Sequence, residues 1–165
     1  YLGSFSKILA PGLRLGYLVA PHALYPKLLQ AKQAADLHTP GFNQRIVSEV
    51  MKDGFLERHV PTIRARYRAQ CAAMADALAQ HLPEGCEWQR PQGGMFFWAR
   101  LTGANGQSAD AAAFAKRAIE KLVAFVPGAP FYAHDPDIAT LRLSFATADV
   151  AKIEEGISRL KLALA

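Results

Sequence analysis

Tyr1-Leu2-Gly3-Ser4-Phe5-Ser6-Lys7-Ile8-Leu9-Ala10-Pro11-Gly12-Leu13-Arg14-Leu15-Gly16-Tyr17 opens the chain, and its residue types carry a chemical reading before any fold is assigned. A lysine amine condenses with carbonyls once it is held in place and can lose its proton. A lone lysine carries no such meaning, because most are solvated surface charges. Lys7 is set apart by its neighbours: Ser4 and Ser6, the turn-forming Pro11-Gly12, and Arg14. A guanidinium offers a planar fork of donors and the serines add hydroxyls, and together they suit a phosphate. An amine beside an anion-binding cluster is what a phosphorylated aldehyde cofactor requires.

Working outward, Leu13 to Val19 alternates and is β-prone, which predicts a strand over 14–19 ended by Pro21. Leu24, Leu28, Ala31 and Ala35 predict a helix over 22–35, and Ile46, Val47 and Val50 a second over 42–51. The strongest periodic signal follows. Leu56, Val60, Ile63, Tyr67, Cys71, Met74, Leu78 and Leu82 fall at intervals of three or four. They predict one long helix, with a bend at Pro61, that links two subdomains. The remainder predicts strands over 86–89, 95–101, 123–126 and 141–145. It also predicts a helix over 109–121 capped by Ser108, and a last helix capped by Thr147 or Asp149 with Ile153, Ile157, Leu160 and Leu164 on one face. Periods of two and 3.6 alternate, so the fold class is α/β.

The 165 residues are 51% hydrophobic and 20% charged, an ordinary globular composition. No apolar run approaches a membrane span. Cys71 and Cys86 do not form a disulfide framework, so a reducing cytoplasm is the default. The net charge of +5 is concentrated in Arg58, Arg64, Arg66 and Arg68, a solvated helix face without the aromatic interleaving of a single-strand-binding groove. Nucleic acid is therefore not an expected partner of this part. The five histidines are scattered without zinc-ligand spacing, so no metal is expected.

The stretch from Tyr1 to Tyr17 resembles the cofactor-lysine motif of the class I/II aminotransferases, the fold-type I pyridoxal phosphate enzymes. It is most similar to the branch of 2-aminoadipate and kynurenine aminotransferases, where Ser-Phe-Ser-Lys leads into Pro-Gly-Leu-Arg-Leu-Gly. The resemblance implies that Lys7 binds pyridoxal 5′-phosphate covalently and acts as the catalytic acid and base, with Ser4, Ser6 and Arg14 on the phosphate. Thr140-Leu141-Arg142-Leu143-Ser144-Phe145 is similar to the family's strand whose arginine grips the substrate α-carboxylate, which assigns that role to Arg142. Without the resemblance, the commoner reading of such a residue is an edge-strand arginine in a surface ion pair, and the motif turns the reading of Arg142 toward function. Pro91-Gln92-Gly93-Gly94-Met95-Phe96-Phe97-Trp98 resembles the segment lining the substrate entrance. Gly94 would let the backbone approach the substrate, and Met95 with Phe96 would form an apolar wall. Val126-Pro127-Gly128-Ala129-Pro130-Phe131-Tyr132 resembles the loop before the carboxylate strand, with Phe131 and Tyr132 as neighbours of the site.

The resemblance implies a mainly parallel sheet with helices on both faces, whose C-terminal part occupies residues 1–60. A connecting helix over 55–82 and a small α+β domain over 83–165 complete the expected organisation. The family's cofactor-ring aspartate, asparagine and tyrosine and its Gly-rich loop precede the lysine. The chain is therefore expected to be a C-terminal portion, inactive alone, of an enzyme moving an amino group between an L-amino acid and a 2-oxo acid. A homodimer is implied. Two other readings stand beside it: the aminotransferase-like effector domain of a MocR/GntR-type transcriptional regulator, and a non-catalytic remnant.

Overall fold

The computed structural model describes residues 1–102 and 109–164. The chain divides into two compact units, Tyr1–Arg64 and Ala65–Ala165.

In the first unit β1 (Leu2–Ser4) and β2 (Gly16–Leu18) pair antiparallel, with Gly3 opposite Tyr17. The expected strand over 14–19 thus shortens at both ends. Its start is displaced because Pro11–Leu13 forms a 3-10 turn that closes on Arg14 in the left-handed region, φ 52 and ψ 44. The intervening segment folds as a turn over residues 5–9, closed by Leu9 N–H donating to the Phe5 carbonyl at 2.8 Å. Two helices follow, α1 (Tyr25–Ala35) and α2 (Gly41–Val50). Pro26 and Pro40 sit where a proline suits a helix start, since the first N–H groups have no intrahelical acceptor. Among the described residues of this unit only Leu15 and Val47 are buried hydrophobics. The apolar positions of α1 include no buried residue, and Leu24, Leu28 and Leu29 are exposed.

A 3-10 turn at Lys52–Gly54, with Asp53 and Gly54 both at positive φ, reverses the chain into α3 (Phe55–His81). This 27-residue helix accounts for the long apolar periodicity. Its interior contains Pro61, and the boundary between the units falls within it.

The second unit places its remaining elements around one antiparallel sheet. Its strands are β3 (Glu87–Gln89), β4 (Phe96–Arg100), β5 (Val126–Pro127) and β6 (Thr140–Ser144), in the order β3-β4-β6-β5. Strand side chains alternate between faces. Phe97, Ala99, Leu141 and Leu143 therefore enter the core, which also takes Cys71, Met74 and Leu78 of α3. Phe114 and Ala118 of α4 (Ala111–Glu120) and Ile153, Ile157, Leu160 and Ala163 of α5 (Val150–Leu164) complete it. All strand pairs among the described residues are antiparallel.

The expected cap Ser108 lies outside the described residues. Asp110 caps α4, its carboxylate accepting from Ala112 and Ala113 N–H. Asp149 rather than Thr147 caps α5, accepting from Lys152 N–H at 2.9 Å. The strand expected over 123–126 begins only at Val126. Leu122 takes φ 63, and its N–H and that of Val123 satisfy the carbonyls of Ile119 and Ala118. Wrapping the helix end in this way uses the residues that would otherwise extend the strand. Among the described residues no helix is long and apolar enough to cross a membrane, and no group of three or more His, Cys, Asp or Glu could hold a metal ion.

Candidate functional site

The first cluster lies on the segment between β1 and β2. Lys7 is exposed at the centre of its turn, and Ser6 N–H donates to Ser4 Oγ at 3.2 Å. That contact leaves the Ser4 hydroxyl proton free to donate. Arg14 follows the 3-10 turn. Its N–H donates to the Pro11 carbonyl at 3.3 Å, and its Nη1 lies 3.4 Å from the same oxygen. A left-handed backbone is costly for any residue with a Cβ, so Arg14 sits there against a conformational cost. Neither Lys7 nor Arg14 has a carboxylate partner among the described residues. The unit thus presents an amine, a guanidinium and two hydroxyls, a donor set that fits a phosphorylated aldehyde.

Asn43 on α2 is the contributor that the motif did not reveal. Its Nδ2 donates to the Leu13 carbonyl at 3.1 Å, across thirty residues of sequence, and so ties down the turn that carries Arg14. A lone asparagine in a helix leaves no local signal of such a contact.

The second cluster lies on the sheet face opposite the core of the second unit. Trp98 pairs with Arg142 in register, and Phe96, Trp98, Arg100, Thr140 and Arg142 share that face. Its two arginines have different surroundings. Arg100 Nε donates to Asp137 Oδ2 at 2.9 Å, and Ala139 N–H donates to the other oxygen at 3.0 Å. The Ala139 hydrogen bond, followed by that from Arg100, holds the Asp137 carboxyl below the usual carboxylate range. Asp137 in turn raises the Arg100 guanidinium above its ordinary value.

Arg142 has no ion pair among the described residues. Its guanidinium carbon lies 4.2 Å from the centre of the Phe96 ring and 4.6 Å from that of Phe131. Its Nε is buried without a hydrogen-bond partner. A charged donor in that state has its desolvation uncompensated, and an anion meeting the Nη edge would offset the charge's desolvation.

Phe131 closes the 3-10 turn Ala129–Phe131 and meets Trp98 edge-on, with ring centres 5.8 Å apart. Gly94 takes φ 79 with open space where a Cβ would point. Met95 is partly buried against the core, and the outward face next to it belongs to Phe96. A groove of about 880 Å³ runs along this face, lined in part by Trp88, Phe96, Trp98, Arg100, Tyr132 and Asp137.

Comparison with known proteins extends these observations. The family model for "Aminotransferase class I and II" matches residues 1–160. A 2-aminoadipate transaminase of Thermus thermophilus is 49% identical over 164 residues, covering 99% of this chain and 40% of that protein. The crystal structure of the α-aminoadipate aminotransferase LysN from the same species is complexed with N-(5′-phosphopyridoxyl)-L-leucine. It is similar at a TM-score of 0.87 and 48% identity, over 99% of this chain and 41% of that one. An uncharacterized HTH-type transcriptional regulator of Bacillus subtilis is 30% identical over 162 residues, 98% of this chain and 32% of its own length. The chain thus spans about two fifths of the length of the aminotransferases it matches. With this match along nearly its whole length, the chain belongs to the class I and II aminotransferase family.

Proposed function

We propose that the chain is the C-terminal part of a pyridoxal phosphate-dependent aminotransferase that moves an amino group between an L-amino acid and a 2-oxo acid. The observation that carries this reading is that a chain of this family has, among the described residues, two cationic sites without a carboxylate partner, Lys7 with Arg14 in one unit and Arg142 beside its rings in the other. When bound, pyridoxal phosphate supplies a carbonyl that condenses with amines and a conjugated ring that accepts electron density from the substrate. Arg14, with the Ser4 and Ser6 hydroxyls, would bind the phosphate, and Lys7 would hold the cofactor through Nζ. Lys7 Nζ would take the Cα proton of the substrate and return it, a general base and acid on one short tether. Arg142 binds the α-carboxylate and orients the Cα–H bond. Gly94 lets the backbone come close to the substrate, and Met95 anchors the strand carrying Phe96 in the core.

Residues 1–60 form the end of the cofactor domain, α3 the connection, and residues 83–165 the small domain. The protein works as a homodimer in the cytoplasm. The exposed apolar side chains Leu24, just before α1, and Leu28 and Leu29 within it agree with further protein covering that surface.

The greater similarity to the 2-aminoadipate transaminase, 49% against 30% for the regulator, favours the enzyme over an effector domain. Lys7→Ala in the full-length protein is expected to abolish both the visible absorbance of lysine-bound cofactor and amino-group transfer. Retention of that absorbance would sink the assignment.

A further inference from the structure

We infer that Phe96 and Phe131 are positioning residues for Arg142: they clamp its guanidinium between two rings, so that only its Nη edge meets an incoming carboxylate. This rests on the carboxylate role proposed above for Arg142.

The geometry comes from the sheet. Phe96 lies two residues before Trp98, the register partner of Arg142, and so takes the diagonal position from which an aromatic side chain reaches across. Phe131 reaches the same guanidinium from the 3-10 turn after β5, and Trp98 meets it edge-on. Both ring centres lie within 5 Å of the guanidinium carbon. Cation–π attraction favours stacking at this range. The Nε is covered and has no partner among the described residues, while the two Nη atoms are not among the buried unpartnered atoms and make no hydrogen bond to the described residues.

A guanidinium on a flexible stem has several rotamers, and each must be lost before a bidentate contact can form. An arginine fixed by a carboxylate would be oriented but neutralised, as Arg100 is by Asp137. Two rings orient the charge without competing for it. Phe131 is 51% exposed and lies outside the buried core.

The test uses the full-length enzyme and compares an amino acid with the amine lacking its α-carboxylate. Phe131→Leu and Phe96→Leu are each expected to raise KM for the amino acid by roughly three- to tenfold. Their loss in kcat/KM for the carboxylate-free amine should be clearly smaller, which narrows the gap between the two substrates. Phe131→Tyr, which keeps the ring, should restore the parent KM. In an Arg142→Lys background, Phe131→Leu should add little, because the ring acts through the guanidinium.

Parallel losses on both substrates, or full additivity with Arg142→Lys, would overturn the clamp. If Arg142→Lys itself leaves the preference for the carboxylate intact, the carboxylate role fails instead. Phe131→Leu alters an exposed side chain, so the test stands even where Phe96→Leu does not fold.

Discussion

Asn43 Nδ2 and the Leu13 carbonyl, 3.1 Å apart, join α2 to the turn that delivers Arg14. The bond is partly buried, so its loss leaves a carbonyl poorly solvated. Asn43→Ala should cost about 1 kcal/mol of stability and weaken pyridoxal phosphate binding by roughly three- to tenfold as the turn loosens. Asn43→Asp should be worse than alanine, because a carboxylate cannot donate and faces the carbonyl's negative end. Titration of apoprotein with cofactor, beside urea denaturation, checks the order; equal binding by all three proteins would refute it.

The left-handed backbone of Arg14 separates a conformational cost from a chemical gain. Arg14→Ala and Arg14→Gly both remove the guanidinium and should both weaken cofactor binding by about tenfold or more. Glycine occupies φ 52 freely, whereas alanine does not. The cofactor-free glycine variant should therefore be more stable than the alanine variant, by about 1 kcal/mol. Thermal unfolding without cofactor decides it, and an alanine variant at least as stable as the glycine one would contradict the strain.

Gly128 is required for space. A Cβ there would lie 2.1 Å from Thr140 Oγ1 and 2.9 Å from the Thr140 backbone carbon. Gly128→Ala should cost about 1–3 kcal/mol, the range for overpacking. Thr140→Ala should not rescue it, since the backbone contact persists. Differential scanning calorimetry of the single and double variants gives the answer, and full rescue would show the side chain alone to be the obstacle.

Asp137 predicts an acid-sensitive tether. Its carboxyl is held below the usual range in the folded protein by the Ala139 N–H and then Arg100. A depressed folded value means that the stabilisation is present above the unfolded carboxyl's pKa. It disappears as pH falls through the lower folded one. Asp137→Asn should therefore be less stable than the parent at pH 7, and the gap should close as pH drops below about 4. Denaturation midpoints at pH 7 and pH 3 measure it; a gap independent of pH would mean that the charge is not the cause.

Local order alone determined much of this protein. The segment from Tyr1 to Tyr17 carries its chemistry in consecutive residues, and the 27-residue helix announces itself through side chains that repeat with its own pitch. Strand alternation likewise put Arg100 and Arg142 on one face of the sheet. It could not say which arginine is neutralised. That was decided by Asp137, 37 residues from Arg100, and by Phe131, brought to Arg142 by a short turn. Asn43 reaches Leu13 across thirty residues, and Leu122 shortens β5 by wrapping the end of α4. Each of these outcomes depends on chain segments meeting in space, where a side chain's partner is set by packing and backbone reversal rather than by its neighbours in sequence.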